Sequence, residues 1–345
     1  MVAFSGCYTA LVTPMKLNRQ VDYDGLQRLV EFQIRESVSG VLAVGTTGES
    51  PTLDWNEHNT VIEKVYECTG NKGLTIAGTG SNSTQETVKG TEHAAHIGVQ
   101  CVLLVDPYYN GPSSLEIRKE YVEPVAGRFP EVQVIPYVIP GRTGTQLYPQ
   151  DLALLHQEYP NVSCVKEATG DLDNMRLTRK LCGSNFAILS GDDDKTFAMM
   201  NAPDIAAAGV ISVASNVAPR AVQNLTQALR SHRIEEANRL YAALKPLFDI
   251  VTVKTQERTS FGLVTCKARN PLAFKTLMNV LGMPAGPCRQ PLGKMTLAGF
   301  EIVLSNARKV YEKNPEMLQP IADFFSVDLS ERLYNKQFWQ GLTYA

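Results

Sequence analysis

The stretch Val162-Ser163-Cys164-Val165-Lys166-Glu167-Ala168-Thr169-Gly170-Asp171 passes from a short apolar run into a polar segment that contains a glycine. The apolar run has the length of a strand rather than of a helix. Runs of this kind, apolar on both faces, are typical of parallel sheets that helices cover. The stretch therefore predicts a buried strand whose carboxyl end carries polar groups, Lys166 first among them.

Similar short apolar runs recur along the chain, and with 162–165 they make eight predicted strands. The other seven are expected at 6–12, 40–44, 74–77, 101–105, 132–138, 187–189 and 209–213. Helical patterns lie between them, for example behind the possible caps Asp22 and Ser83. Eight alternating units favour an α/β fold of the closed (β/α)8 TIM barrel type over an open doubly wound sheet.

After Ala218 the pattern is helical, with helices expected at 219–231, 234–251, 271–281 and 297–312. The last stretch is too aromatic for a solvated tail and is expected to pack on another part of the molecule. Its aromatic residues are Phe324, Phe325, Tyr334, Phe338, Trp339 and Tyr344. We therefore divide the chain into a barrel (1–230), a C-terminal helical region (231–314) and an aromatic-rich extension of unknown role (315–345).

The composition narrows the classes of partner. The chain has 33 Lys and Arg against 35 Asp and Glu, a net charge of -2, which is far from the basic excess of a nucleic-acid surface. Its seven cysteines form no C-x-x-C pair, so neither a disulfide framework nor a structural zinc site is expected. The chain has no apolar stretch near the roughly 18 residues that a membrane span needs. We expect a cytoplasmic protein with a small-molecule ligand, without a nucleic-acid or membrane partner.

In such a barrel the active site lies at the carboxyl ends of the strands, so the polar segments there are the candidate sites. The second strand is followed by Gly45-Thr46-Thr47-Gly48-Glu49-Ser50. Its glycines, amides and hydroxyls suit a bound carboxylate, and a glycine-rich turn with capping threonines explains the segment equally simply.

Two roles are open for Lys166 at the mouth of an apolar barrel. Desolvation disfavours an ammonium group and yields a neutral amine that condenses with a ketone. The alternative is an ion pair with Glu167 or Asp171, which is the more common arrangement for a lysine taken alone.

Two further strand ends carry candidate groups. The fifth strand leads through Tyr137 to Arg142, a phenol for proton transfer and a guanidinium for a carboxylate. The fourth ends in Pro107-Tyr108-Tyr109-Asn110. Tyr137 alone also fits half-buried packing, and the tyrosine pair also fits an interface.

Taken together and in order, these segments resemble the dihydrodipicolinate synthase and N-acetylneuraminate lyase superfamily over about residues 4–310. The most specific pieces are GTTGE at 45–49, PYYN at 107–110, KEATGD at 166–171, SGDD at 190–193 and GVISV at 209–213. KEATGD, SGDD and Arg142 are similar to the synthase branch rather than to the sialic acid lyases.

The resemblance implies a role for each matching residue. Lys166 would form a Schiff base with pyruvate, while Tyr137 and Thr47 would relay protons and Tyr109 would complete the relay in a neighbouring subunit. The remaining matches would bind substrates: Thr46 and Thr47 the pyruvate carboxylate, the backbone of Gly191 and Ile211 the pocket wall, and Arg142 the carboxylate of aspartate 4-semialdehyde. No metal or other cofactor is implied, because the protonated imine is the electron sink.

The resemblance also implies a homo-oligomer, at least a dimer and usually a tetramer, and a feedback site for L-lysine at its interface. The positions that match this site are Ser50, Pro51, Trp55, His58, Asn82, Glu86 and Tyr108. Glu86 and Asn82 would meet the charged ends of an amino acid, and Trp55 its aliphatic stem. Ordinary interface packing, with His58 a solvated helix residue, explains the same positions.

The chain departs from the family pattern beside Tyr137, which follows Pro136 and precedes Val138. A proline in this strand removes a ladder donor and predicts a local bulge that shifts Tyr137 relative to Lys166. Three functions remain open. The first is condensation of pyruvate with aspartate 4-semialdehyde in lysine biosynthesis. The second is retro-aldol cleavage of a 2-keto-3-deoxy sugar acid or N-acetylneuraminate, and the third is a non-catalytic regulatory barrel.

Overall fold

A computed structural model describes residues 2–344 and has a closed barrel of eight parallel strands. The strands are β1 (Gly6–Ala10), β2 (Gly40–Ala43), β3 (Leu74–Gly78), β4 (Cys101–Val105), β5 (Gln133–Val138), β6 (Cys164–Glu167), β7 (Ala187–Ser190) and β8 (Gly209–Ser212). β1 pairs with β8 and closes the ring. The predicted (β/α)8 barrel is confirmed, and every predicted strand overlaps an observed one.

Helices alternate with the strands around the barrel. They are α1 (Tyr23–Arg35), α2 (Trp55–Thr69), α3 (Thr84–His96), α4 (Ser114–Glu116), α5 (Glu123–Arg128), α6 (Pro140–Thr143), α7 (Pro149–Glu158), α8 (Leu172–Cys182), α9 (Thr196–Asn201) and α10 (Pro219–Arg230). A π-helical segment, Ile117–Val122, joins α4 to α5. The predicted caps are confirmed, because the Asp22 carboxylate accepts from the Gly25 amide and the Ser83 hydroxyl accepts from the Glu86 amide.

The barrel has one apolar cluster inside the strands and another between strands and helices. The inner cluster contains Tyr8, Leu42, Ile76, Leu103, Ile135, Tyr137, Cys164, Ala168, Leu189 and Ile211. Successive side chains of a strand point to opposite faces. Lys166 therefore shares the inward face of β6 with Cys164, and Ala168, directly after the strand, belongs to the same inner cluster. The strand was predicted to end at Val165, whereas it runs to Glu167 and holds Lys166 inside the sheet.

Pro136 leaves β5 unbroken. The register with β4 passes through the pair Leu104 and Pro136 without an offset, whereas the recorded pairing with β6 begins only at Tyr137, opposite Lys166. The expected bulge in β5 is therefore wrong. The missing amide of Pro136 shortens the ladder to β6, and the following residue still pairs with the lysine.

The region after Ala218 is not wholly helical, which corrects the sequence expectation. Helices α11 (Ile234–Phe248), α12 (Leu272–Val280) and α13 (Leu297–Lys313) match the pattern, but an antiparallel hairpin stands between the first two. Its strands are β9 (Thr252–Thr259) and β10 (Gly262–Arg269). β9 has three threonines and a valine among its eight residues, which favour a strand, and Ser260 and Phe261 form a tight turn before Gly262, the first residue of β10.

The aromatic extension packs on the molecule, as expected. It forms helices α14 (Gln319–Phe325) and α15 (Leu329–Tyr334). The rings of Phe324 and Phe325 lie 5.4 and 5.3 Å from that of Phe32 on α1, and Trp339 lies 5.7 Å from Phe300 on α13. The extension thus covers the outside of the barrel and the C-terminal helices. The three-part division of the chain remains a prediction.

A buried ion pair joins the segment after β2 to helix α12. The Lys275 ammonium lies 2.6 Å from a Glu49 carboxylate oxygen, and both side chains are at most 1% exposed. Lys275 also donates to the carbonyls of Thr13 and Pro287, while Glu49 accepts from the Arg289 amide at 2.7 Å. The pair holds together three loops that surround the top of the barrel.

Lys275→Met is expected to lower the free energy of unfolding by about 3–5 kcal/mol, because it leaves the Glu49 carboxylate buried without its cation. Urea titration followed by circular dichroism measures the change. Lys245→Met is the matched control, since Lys245 is half exposed and pairs with Asp249 in solvent. The control should change stability by at most about 1 kcal/mol. Equal effects of the two substitutions would contradict a structural role for the buried pair.

Candidate active site

Lys166 lies at the bottom of a cavity of about 230 Å³ at the carboxyl end of the barrel. Its side chain is only 5% exposed, and its Nζ lies 4.0 Å from the centre of the Tyr137 ring. Burial lowers the pKa of the Lys166 ammonium to about 7, while the carboxylates of Asp192 and Asp193 act in the opposite direction. A large fraction of this amine is therefore neutral at neutral pH.

The predicted alternative, an ion pair with Glu167 or Asp171, is wrong. Glu167 accepts from the Thr169 amide at 2.7 Å and from the Asn174 amide group at 3.0 Å. Asp171 caps helix α8 through the amides of Asp173 and Asn174. Among residues 2–344, Lys166 has no carboxylate within ion-pair distance. The lysine is thus kept as a buried amine rather than as half of a salt bridge.

Tyr137 is 4% exposed and belongs to both the inner cluster and the cavity wall. Burial raises the pKa of its phenol, while Arg142 and a hydrogen bond with Thr46 lower it by smaller amounts. The hydroxyl therefore remains protonated near pH 7. A protonated phenol next to an amine is suited to donating and receiving a proton during imine chemistry.

The loop after β2 brings Thr46 and Thr47 to the same cavity. Thr47 is 2% exposed, and its Oγ1 accepts a hydrogen bond of 2.9 Å from the side-chain amide of Asn270. Asn270 follows directly after the hairpin and was not predicted as a site residue. It orients the Thr47 hydroxyl, so the region after the barrel helps to position the barrel's own site.

Gly191 and Ile211 occupy different positions relative to the cavity. Gly191 lines it, and a Cβ there would lie 2.8 Å from the Ala168 Cβ and 3.2 Å from the Lys166 Cε. Only glycine leaves room for the lysine chain at this point. Ile211 is fully buried in the inner cluster, and Val213, two residues further on, lines the cavity.

Arg142 stands at the mouth of the cavity, where one of its Nη atoms donates to the Asn270 carbonyl at 3.1 Å. Two cations of the hairpin, Lys267 and Arg269, line the same mouth. Asp192 is the one carboxylate among the described lining residues, and burial raises its pKa to about 6. The mouth of the cavity is therefore positively charged.

Three of the seven residues that match a lysine-feedback site line a neighbouring cavity of about 200 Å³. Ser50, Pro51 and Tyr108 line it together with Tyr137 and Arg142, so it adjoins the first cavity. The Asn82 side chain accepts from the Tyr108 amide at 2.8 Å, and Glu86 accepts from the Ser81 hydroxyl. Asn82 and Glu86 are thus held by polar contacts outside the lining of this cavity.

His58 is buried, which corrects the alternative expectation that it is a solvated helix residue. It is 2% exposed, its ring lies 4.7 Å from that of Trp55, and its Nε2 lies 3.3 Å from the Ser50 hydroxyl. Burial lowers its pKa to about 4, so the ring is neutral at physiological pH.

Tyr109 stands apart from the other candidates. Its side chain is 94% exposed, and its backbone has a positive φ of 85°. This left-handed conformation is strained for a residue with a Cβ, and strain of this kind is often retained where a side chain has a role. Within one chain, Tyr109 does not line the cavity that holds Lys166.

Two other features bear on the site. In the part of the chain that the structure describes, no three His, Cys, Asp or Glu side chains converge as metal ligands, and the seven cysteines are free thiols. Over residues 2–344 no helix is long and apolar enough to cross a membrane. That the chemistry needs no metal or cofactor remains a prediction.

The pKa of Lys166 predicts how imine formation depends on pH. The neutral amine is the nucleophile, so the rate of imine formation with pyruvate should rise about tenfold per pH unit below pH 7 and level off above it. Reductive trapping with cyanoborohydride across pH 5.5–9, an interval chosen to span roughly two units around the midpoint, measures this profile. Asp192→Asn removes a carboxylate that raises the lysine pKa, so its midpoint should move to lower pH. A rate that still rises about tenfold per pH unit up to about pH 9, as for an ordinary lysine of pKa about 10.4, would contradict the buried amine.

The fold and this cavity define a (β/α)8-barrel enzyme with a buried, partly neutral lysine at the carboxyl ends of its strands. The chain belongs to the dihydrodipicolinate synthetase family, whose model matches residues 3–303.

Individual relatives agree with this assignment. The 4-hydroxy-tetrahydrodipicolinate synthase of Methanococcus maripaludis is 37% identical over 302 residues, which cover 88% of this chain and 96% of the relative. The structure of the 4-hydroxy-tetrahydrodipicolinate synthase from Methylacidiphilum fumariolicum superposes with a TM-score of 0.83 at 32% identity, covering 92% of this chain and 99% of the other. A lysine-bound structure from Cyanidioschyzon merolae has a TM-score of 0.81 at 31% identity and covers 89% and 98% of the two chains.

Proposed function

We propose that the protein condenses pyruvate with L-aspartate 4-semialdehyde to give 4-hydroxy-tetrahydrodipicolinate, a lyase reaction of lysine biosynthesis through diaminopimelate. The single observation that carries the proposal is the buried Lys166 amine, 4.0 Å from the ring centre of Tyr137 and without an ion-pair partner in the described residues. The membership of the synthetase family and the names of its relatives support the choice of substrates.

The first half of the reaction uses the bottom of the cavity. The neutral amine of Lys166 attacks the ketone carbon of pyruvate, and loss of water gives an imine. Thr46 and Thr47 hold the pyruvate carboxylate. The Tyr137 phenol gives a proton to the departing hydroxyl, and the Thr47 hydroxyl, oriented by Asn270, relays protons to it.

The second half forms the carbon–carbon bond. Loss of a proton from the pyruvate methyl group gives an enamine, whose carbon attacks the aldehyde carbon of the semialdehyde. The aldehyde oxygen takes a proton from Tyr137, and the amine of the semialdehyde then displaces Lys166 from the imine and closes the ring. Arg142 binds the carboxylate of this second substrate.

The Asp192 carboxylate favours an amino-aldehyde over a sugar acid as the second substrate. It lines the cavity that holds Lys166, opposite in charge to the cations at the mouth. An acceptor with an ammonium and a carboxylate group complements both charges, whereas a sugar acid complements only the cations. Retro-aldol cleavage of a sugar acid and a non-catalytic barrel are therefore the weaker candidates.

We further propose a homo-oligomer, at least a dimer and most simply a tetramer, in which Tyr109 of one subunit completes the proton relay of another. The strained backbone of Tyr109 and its 94% exposure support this role, because an isolated chain gives this ring no packing. The residues Ser50, Pro51, Trp55, His58, Asn82, Glu86 and Tyr108 are proposed to bind L-lysine as a feedback effector. The cavity lined by Ser50, Pro51 and Tyr108, the contact between His58 and Ser50, and the lysine-bound relative support the proposal.

A coupled assay with pyruvate and L-aspartate 4-semialdehyde tests the proposed function. Ring formation with the semialdehyde, and no pyruvate release from 2-keto-3-deoxy sugar acids or N-acetylneuraminate, is the expected result. Pyruvate release without condensation would replace the proposal with the retro-aldolase, and neither activity would leave the non-catalytic barrel.

A further inference from the structure

The hairpin of β9 and β10 extends into the mouth of the cavity. Thr252 at the start of β9, and Lys267 and Arg269 at the end of β10, line the same cavity as Lys166 and Tyr137. The hairpin residues pair in continuous antiparallel register from Thr252 opposite Arg269 to Thr259 opposite Gly262. An ordered element outside the barrel therefore forms part of the active-site wall.

The three cations at this mouth outnumber the one carboxylate, Asp192, that lines the same cavity within residues 2–344. Arg142, Lys267 and Arg269 form no ion pair among the described residues, although each lines the cavity. The proximity of Arg269, Lys254 and Arg142 lowers the pKa of Lys267, since like charges disfavour its ammonium form. Unpaired like charges that are held together are costly, and an anion bound among them would remove the cost.

Backbone contacts hold two of the cations in place. The Arg142 guanidinium donates to the Asn270 carbonyl, and the Arg269 guanidinium donates to the Gly141 carbonyl, both at 3.1 Å. Each arginine thus binds the backbone next to the other: Arg142 binds the residue that follows Arg269, and Arg269 binds the residue that precedes Arg142. Each guanidinium has five N–H donors and keeps others for a ligand.

The other side of the hairpin rests on the C-terminal helices. Val253 is 3% exposed, and the hydroxyl of Thr255 lies 3.1 Å from that of Thr296, which caps α13. Because β9 is anchored in this way, the cations of β10 are positioned before any ligand binds. Preorganised donors lose little entropy on binding.

We propose that Arg142, Lys267 and Arg269 form one anion subsite that binds the carboxylate of the acceptor aldehyde, so that the hairpin determines specificity for the second substrate. The inference rests on the proposed function, and it adds Lys267 and Arg269 to the binding residues. The acceptor's carboxylate suits this subsite better than that of pyruvate does. Pyruvate is held at the imine deep in the cavity, beside Thr46 and Thr47, whereas the three cations stand at its mouth.

Lys267→Met and Arg269→Gln test the subsite in the full-length protein. Each should raise the KM for L-aspartate 4-semialdehyde about tenfold, the equivalent of losing one charge-assisted hydrogen bond, and should leave the KM for pyruvate unchanged. The KM for the semialdehyde should also depend less steeply on NaCl concentration than in the wild type. Succinate, as an anionic probe, should inhibit each variant less strongly than the wild type, in competition with the semialdehyde.

Arg258→Gln is the matched control, because it removes a cation from the same hairpin near its exposed turn, where Arg258 pairs with Leu263. It should leave both KM values and the succinate inhibition at wild-type levels. Circular dichroism and trapping of the pyruvate imine in each variant report whether the fold and the lysine are intact.

The outcomes separate this inference from the function on which it rests. If the wild type condenses the two substrates but Lys267→Met and Arg269→Gln keep its semialdehyde KM, the anion subsite is wrong and the proposed function stands. A rise in the KM for pyruvate alone, or an equal effect of Arg258→Gln, would likewise overturn the subsite. Absence of condensation by the wild type overturns the proposed function itself.

Discussion

Lys166→Met is expected to lower kcat/KM for condensation by about 10³-fold or more, because it removes the proposed nucleophile, on which every later step of the proposed reaction depends. Methionine keeps the length and much of the volume of the lysine stem, so the barrel interior should remain packed. Removing a buried ammonium that has no ion-pair partner in the described residues should not cost stability. Steady-state kinetics and thermal unfolding of the same preparation measure both effects.

Lys180→Met is the control for this substitution. Lys180 is an exposed residue of α8, the helix that follows the strand carrying Lys166. Its loss should change kcat/KM by less than about twofold, since it is exposed and is not among the residues that line the cavity. A Lys166→Met protein that folds and retains a tenth or more of the activity would rule out covalent catalysis by this residue.

Tyr137→Phe is expected to lower kcat by about 10²–10⁴-fold, the range typical of losing a positioned general acid–base group. Its ring contact with Lys166 and its place in the inner cluster remain, so the loss reports on the hydroxyl alone. The pKa of the buried phenol is raised, and this hydroxyl is therefore the protonated group beside the imine.

A slower but still detectable imine with pyruvate is expected in Tyr137→Phe, because Lys166 is intact. Tyr148→Phe removes a hydroxyl from a half-exposed tyrosine outside the cavity and serves as the comparison. If Tyr137→Phe kept the wild-type kcat, another group would have to relay the protons, and Tyr137 would serve only to pack the barrel interior.

The strands could be predicted because their signal is local. Each is a short apolar run, and in a barrel that helices cover, both faces of a strand are buried, so the runs stand out from the amphipathic helices. The hairpin was missed for the opposite reason. It lies outside the barrel with mostly exposed residues, and polar residues such as Lys254 and Lys267 interrupt its strands, so neither strand is a continuous apolar run.

The site was predictable only in part, because most of its physical properties arise from long-range contacts. Lys166 and Tyr137 are identified by their positions after apolar runs and by the family resemblance. By contrast, the contact between Thr47 and Asn270 joins residues 223 positions apart, and the Glu49–Lys275 pair spans 226. Neither leaves a local pattern. The burial of His58 depends likewise on packing between α2 and α3, which a helical pattern alone does not specify.

Pro136 shows where a local rule gave the wrong answer. A proline within a strand predicts a bulge, yet the pairing of β5 with β4 continues through it, and only the ladder toward β6 is shortened. Tyr137 consequently remains opposite Lys166, and the proton-relay assignment does not require a displaced phenol.

Lys166 is proposed to be the residue that binds pyruvate covalently. Borohydride reduction of the full-length protein with pyruvate, followed by peptide mass mapping, tests it most directly. We expect one reduced pyruvate adduct, on the peptide that contains Lys166, and no adduct in Lys166→Met. Absence of an adduct, or an adduct on another lysine, would contradict it.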